Sequence, residues 1–163
     1  MHRPAPGLVL LLFALLAVPA AAQQLTAIEI IQPGIYTTDV VSSEGNASGI
    51  ARNIVENERL ALATTTIPLT QGVKFGFHYK PVGPLPGFVR LQKVILLPRP
   101  GLRPPGKPPV LRIDNLLDRR INETSYTEYS LDDVFELVPG QWTFQLWWNN
   151  RKMAEQSFTL VVR

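Results

Sequence analysis

The sequence contains no cysteine. That excludes disulfide staples, thiolate metal sites, cysteine nucleophiles and an acyl anchor on cysteine. Histidine is nearly as scarce: His2 and His78 are the two in 163 residues. A serine–histidine–aspartate relay would have to use His78, and nothing in the sequence pairs it with a nucleophile. A zinc site on one histidine would need carboxylates for every other ligand. His78 alternates with apolar residues beside Lys74 and Lys80, so it is expected on the exposed face of a strand. No phosphate-cradling glycine loop occurs: Gly101 and Gly106 bracket prolines, which remove the N–H groups such a loop needs. No long helical pattern exists to support parallel crossovers.

What is present begins with a leader. His2 and Arg3 precede an apolar run from Leu8 to Val18, and Ala20, Ala21 and Ala22 form a small-residue cleavage site. This predicts a signal peptide over residues 1–22, an exported chain and a periplasmic or secreted location. The apolar run is too short to span a bilayer, and no second run of spanning length follows, so no transmembrane segment is expected in the mature chain. Residues 23–163 then form a single domain, large enough to hold a core without staples. Without Arg3 the chain has 15 basic and 13 acidic residues, a net charge of +2. The charges are segregated: nine basic residues lie between 80 and 120, and five acidic ones with no basic residue between 121 and 136.

Trp142, Phe144, Leu146 and Trp148 alternate with polar residues, the period of a half-buried strand. Asn149 and Asn150 suit a tight hairpin turn, after which Phe158, Leu160 and Val162 repeat the alternation. Val73, Phe75, Phe77 and Tyr79 form an equally regular strand. Further strands are expected at 24–32, ended by Pro33 and Gly34, at 35–41, at 60–67 and at 88–97. Short ones are expected at 110–113 and 125–130, while 50–58 reads as a short helix or a strand. Ser130 followed by Asp133, with Leu131, Val134, Phe135 and Val138 on one face, predicts a two-turn helix or an acidic turn. Six prolines in 98–109 predict an extended, polyproline-like loop. The sum is an all-β antiparallel sandwich of seven to nine strands with at most one short helix, its core joining Trp142, Phe144, Leu146, Phe158 and Leu160 to Phe75 and Phe77.

The order of these features resembles a family of small exported bacterial domains of unknown function with an immunoglobulin-like sandwich. The residues that carry the resemblance are Gly34-Ile35-Tyr36, then Gly72 to Phe77, Glu136 to Phe144, and Ala154 to Phe158. It implies an immunoglobulin-like fold and export. It transfers no catalytic residue, cofactor or metal ligand.

Asp132, Asp133 and Glu136 are the densest carboxylates, and capping of a turn explains them better than glycoside hydrolysis. The acceptor patterns at Asn46 and Asn122 read as chance. Two binding features remain. Trp147, beside Trp148, must point to the opposite face of its strand, where it could stack on a sugar or a partner. Arg99, Arg103 and Lys107 recur every four residues in the proline-rich loop. In a polyproline helix they would fan around the axis and suit a diffuse anionic polymer such as lipopolysaccharide. The sequence therefore reads as a non-enzymatic binding module, without cofactor or metal, whose partner is an envelope protein. The alternative is a carbohydrate or anionic-polymer binder using Trp147 and the basic loop. Sequence-specific nucleic-acid binding is not expected.

Overall fold

A computed structural model describes residues 25–45, 49–50 and 52–162, with Arg52 by its backbone alone. The leader and the pattern at Asn46 lie outside the described residues. Nine strands occur among these residues: β1 Ala27–Glu44, β2 Arg52–Ala63, β3 Thr66–Pro68, β4 Lys74–Val82, β5 Phe88–Leu96, β6 Arg112–Arg120, β7 Ser125–Ser130, β8 Gly140–Trp148 and β9 Arg151–Val161. They form a four-stranded sheet, β2-β1-β4-β7, packed on a five-stranded sheet, β3-β9-β8-β5-β6. The all-β sandwich expected from the alternation is the fold.

The core lies between the two inner faces. Trp142, Phe144 and Phe158 are fully buried against Phe75 and Phe77. Phe75 meets Trp142, Phe144 and Phe158 edge-on, with ring centroids 5.2–5.8 Å apart. Such tilted pairs contribute beyond the area they bury. The β8–β9 hairpin turns on Asn149 and Asn150, both at positive φ, as a tight turn between twisted strands requires. Val162 departs from its expected face: it lies beyond β9 and is exposed.

Other expectations need correction. Pro33 and Gly34 do not end the first strand. Gln32 takes a φ of 49° in a bulge, and β1 resumes its pairing with β4 at Gly34–Gly76. A bulge absorbs the missing proline donor without ending the ladder. The stretch 60–67 is two strands. Thr64 accepts a hydrogen bond from the amide of Thr66 at 3.0 Å, and this turn carries the chain from one sheet to the other. There β3 pairs with β9 in parallel, the one parallel pair among the described residues. β6 runs over nine residues where only its first two were anticipated, because an edge strand rich in charge hides its alternation.

The helix expected after Ser130 is a single 3-10 turn, Val134–Glu136. Its last residue, Glu136, is buried, and the carboxylate accepts hydrogen bonds from the amides of Asp132 and Asp133 and from the Tyr129 hydroxyl. The N-cap is Asp133, not Ser130, and the carboxylate that caps the turn, Glu136, is buried, not solvated. The proline-rich loop is not an extended helix either. Leu102 and Val110 exchange backbone hydrogen bonds at 2.8 and 2.9 Å, which folds the loop back and buries Leu102 in the core.

β1 and β2 form a hairpin longer than the sheet it belongs to. β1 pairs with β4 only as far as Tyr36, and three irregularities in its pairing with β2 coil what remains. This arm leans over the outer faces of β4 and β7. Lys74 Nζ donates to the Thr38 carbonyl at 2.7 Å, and Asn53 Nδ2 to Asp132 Oδ2 at 2.8 Å. Beyond its tip Ile50 enters the core, 2% exposed.

Candidate binding surfaces

Three places bring polar side chains together. The first is the outer face of the five-stranded sheet. Alternation along β8 sends Trp142, Phe144 and Leu146 inward and Gln141, Thr143, Gln145 and Trp147 outward. Trp147 is opposite Gln92 on β5, and Gln92 is opposite Leu116 on β6, so the three form a row across the sheet. The Trp147 indole N–H donates to Gln145 Oε1 at 3.0 Å. The Gln145 amide donates to Glu155 Oε2 at 2.9 Å, which also receives Lys152 Nζ at 2.6 Å. On the other side Gln92 donates to Asp114, which Arg112 grips with two bonds of 2.7 and 2.8 Å. Arg90 holds Asp118 in the same way.

These donors keep Asp114 and Asp118 below the usual carboxylate range, chiefly through the hydrogen bonds from Arg112 and Arg90. The hydrogen bond from Lys152 does the same for Glu155. The lattice is dense enough that Val94, on this outward face, is completely buried beneath it. Leu116 and Phe88 stand above it, 62% and 58% exposed, with the Arg120 guanidinium 4.8 Å from the Phe88 ring centre. A depression of about 260 Å³ lies between Trp147, Gln92, Arg112 and Asn150.

Trp147 thus points outward, as the sequence predicts, and is half-buried by its own sheet. Arg99, Arg103 and Lys107 are exposed on the folded-back loop. They do not fan around a polyproline axis, because the chain reverses between Pro104 and Lys107. The loop leaves β5 at Leu96, four residues beyond the partner of Trp147, which is about 13 Å along the strand. The cation beside the indole is Arg112, which sequence reasoning did not single out. Its signal was the alternation of β6, masked by charge.

The second place is the outer face of the four-stranded sheet under the arm. His78 is not an exposed surface histidine. Its side chain is 20% exposed, with Nδ1 3.2 Å from the Tyr36 hydroxyl and Nε2 3.5 Å from Glu58. Tyr36 also donates to the Gln32 carbonyl at 2.5 Å. Tyr126 packs on both Tyr36 and His78 and donates to Glu128 at 2.9 Å. Burial raises the pKa of Tyr36, Tyr126 and Glu128. Each polar group of this cluster holds another, and their chemistry is structural: they fasten the arm to β4 and β7.

The third place is a cleft of about 580 Å³ where the sandwich opens between the edge strands β6 and β7. The arm roofs it with Ile54, Val55 and Glu58, and Ile95, Ile113 and Leu117 form its apolar floor. Lys93 lies within it, 9% exposed, donating to the Glu128 carbonyl at 3.5 Å. Among the described residues no group of three or more histidines and carboxylates is arranged to hold a metal ion.

Comparison with known proteins adds to the fold. No family model matches the chain, and no curated protein matches it. A crystal structure of an immunoglobulin-like protein from Pseudomonas aeruginosa is similar, with a TM-score of 0.60 and 22% identity over 86% of this chain and 99% of that one. At that identity the likeness is one of fold, and the sandwich is immunoglobulin-like. An alkylpurine DNA glycosylase from Pseudomonas fluorescens, bound to DNA with an abasic-site analogue, matches at a TM-score of 0.37 over 30% of its own length. That likeness is too slight to bear on function.

Proposed function

We propose that this protein is an exported, non-enzymatic binding module that makes protein–protein contacts in the cell envelope through the outer face of its five-stranded sheet. The observation that carries the reading is the row of Leu116, Gln92 and Trp147, set on a lattice of bidentate ion pairs and amide bonds. Exposed apolar and aromatic side chains on a rigid, already ordered platform give up little entropy on binding. Export and a periplasmic location rest on the leader pattern at 1–22. A photo-crosslinking residue in place of Leu116 should yield one defined adduct in envelope extract, lost when Trp147→Ala is added. Adducts equally varied with and without that change would count against the reading.

A second reading is favoured by the depression beside the indole. An aromatic ring flanked by Arg112, Gln92 and Asn150 is an arrangement suited to stacking a sugar ring and bonding its hydroxyls. Glycan-array binding that disappears in Trp147→Ala would move the assignment to carbohydrate. The loop cations Arg99, Arg103 and Lys107 support only weak, salt-sensitive binding of anionic polymers such as lipopolysaccharide. Changing all three to Gln should abolish that binding at low salt while leaving the Leu116 adduct intact.

A further inference from the structure

β7 is an edge strand with β4 as its single partner. The amide of Leu131 donates to Val73, and the Thr127 carbonyl faces Gly76, so the odd-numbered residues turn their backbone groups toward β4. In an antiparallel pair the alternate residues turn theirs the other way. Tyr126, Glu128 and Ser130 therefore present amide and carbonyl groups away from the sheet. The Lys93 ammonium, reaching the Glu128 carbonyl from the far side of the cleft, marks that direction.

The edge opens onto the 580 Å³ cleft. The six residues of β7 give it a length of about 20 Å. Opposite stands β6, the edge of the other sheet, contributing Ile113, Asn115 and Leu117. An unladdered strand edge beside an apolar floor is the geometry in which an extended peptide adds to a sheet: main-chain bonds supply affinity, and alternate side chains enter the floor.

Charge selects the kind of peptide. The cations that line the cleft are already engaged: Arg120 pairs with Glu123 and Arg119 bonds to Tyr79 on the β6 side, and Lys93 reaches the Glu128 carbonyl. On the arm side Glu58 faces His78, Glu128 is held by Tyr126 and Thr38, and Asp132 by Asn53 and Ser130. Among the described residues that rim is lined by carboxylates held mainly by neutral donors. We infer that the cleft accepts an extended segment of a partner protein, apolar at alternate positions and basic between them, which adds to β7 as a new edge strand. Leu116, Gln92 and Trp147 lie outside this cleft, so the inference stands or falls apart from the sheet-face reading.

The test uses residues 23–163 and a seven-residue acetylated, amidated peptide in which valine alternates with lysine and threonine. At saturating peptide, amide exchange followed by NMR should slow about tenfold at Tyr126, Glu128 and Ser130 and stay unchanged at Thr127 and Tyr129, already laddered to β4. A peptide with glutamate in place of lysine should bind about tenfold more weakly. Glu128→Pro removes one outward amide together with the carboxylate and should weaken binding about tenfold beyond Glu128→Gln, which loses the carboxylate alone. Should that variant fail to fold, Asn115→Trp fills the cleft from the β6 wall and should act alike. Unaltered exchange at the three amides, equal binding of the acidic peptide, or full binding by Asn115→Trp would overturn the inference. So would protection of the same amides by raising protein concentration alone, which would make a second copy of the chain the occupant.

Discussion

The two outer faces of the sandwich are built from the same alternation and end in opposite circumstances. On the four-stranded sheet Tyr36, His78, Tyr126 and Glu128 point away from the core, yet Tyr36 is only 2% exposed because the β1–β2 arm lies over it. On the five-stranded sheet no arm intervenes. Polar side chains shield Val94 by bonding one another, and Leu116 and Phe88 remain in water. Outward-facing polar residues therefore meet two demands in one molecule: a second small core on one side, and a wettable but ordered platform on the other. Only the second is open to solvent.

Substitutions can break this contrast, beginning with a benchmark both sheets share. Trp142→Ala should cost about 4 kcal/mol, since the ring is fully buried and its N–H donates to the Val138 carbonyl. A urea midpoint unchanged from the parent would contradict the packing. Tyr36→Ala should cost about 3 kcal/mol and loosen the arm, seen as faster amide exchange in β2. If it cost no more than a surface change, the covered face would not be a second core. Trp147→Ala, by the same assay, should cost less than about 1 kcal/mol, because its ring is half-buried and its bond to Gln145 is replaceable by water.

Acidity sharpens the same contrast in sign. Burial raises the folded pKa of Glu128 above 4.5, so the folded state holds a proton that the unfolded chain has released. Its contribution is present below about 4.5 and is lost as pH rises through the raised value. Arg112 lowers the folded pKa of Asp114 below 3.8, so that contribution is present above 3.8 and is lost as pH falls through the lowered value. Melting temperature against pH should show both limbs. Glu128→Gln should flatten the upper one and Asp114→Asn the lower; an exchange of those effects would reverse the assignment of covered and open faces.

The inward half of each strand was legible in the sequence because burial enforces the period: Phe75, Phe77, Trp142, Phe144, Phe158 and Leu160 all lie in the core. The outward half was not. Nothing in the residues around His78 announces that Tyr36 and Tyr126, 90 positions apart in the chain, will close on it. β6 is hidden beyond Ile113 because Asp114, Asp118, Arg119 and Arg120, whose partners are Arg112, Arg90, Tyr79 and Glu123, mimic a solvated loop in the sequence. The proline-rich loop was misjudged in the reverse sense. Proline content limits pairing but does not stop one leucine, Leu102, from being drawn inward. Trp147 was placed on the correct face by parity alone, whereas the neighbours that shape its depression came from strands whose register only the structure supplies.

The turn at Thr64 has a further consequence. Within three residues the chain leaves the edge of one sheet and joins the edge of the other, where the Thr159 amide donates to the Thr65 carbonyl and the Leu69 amide to Val161. The last strand is thus stitched to the opposite layer by a segment too short to slacken. Neither layer can peel from the other without first tearing its own hem, so the domain should come apart in one step.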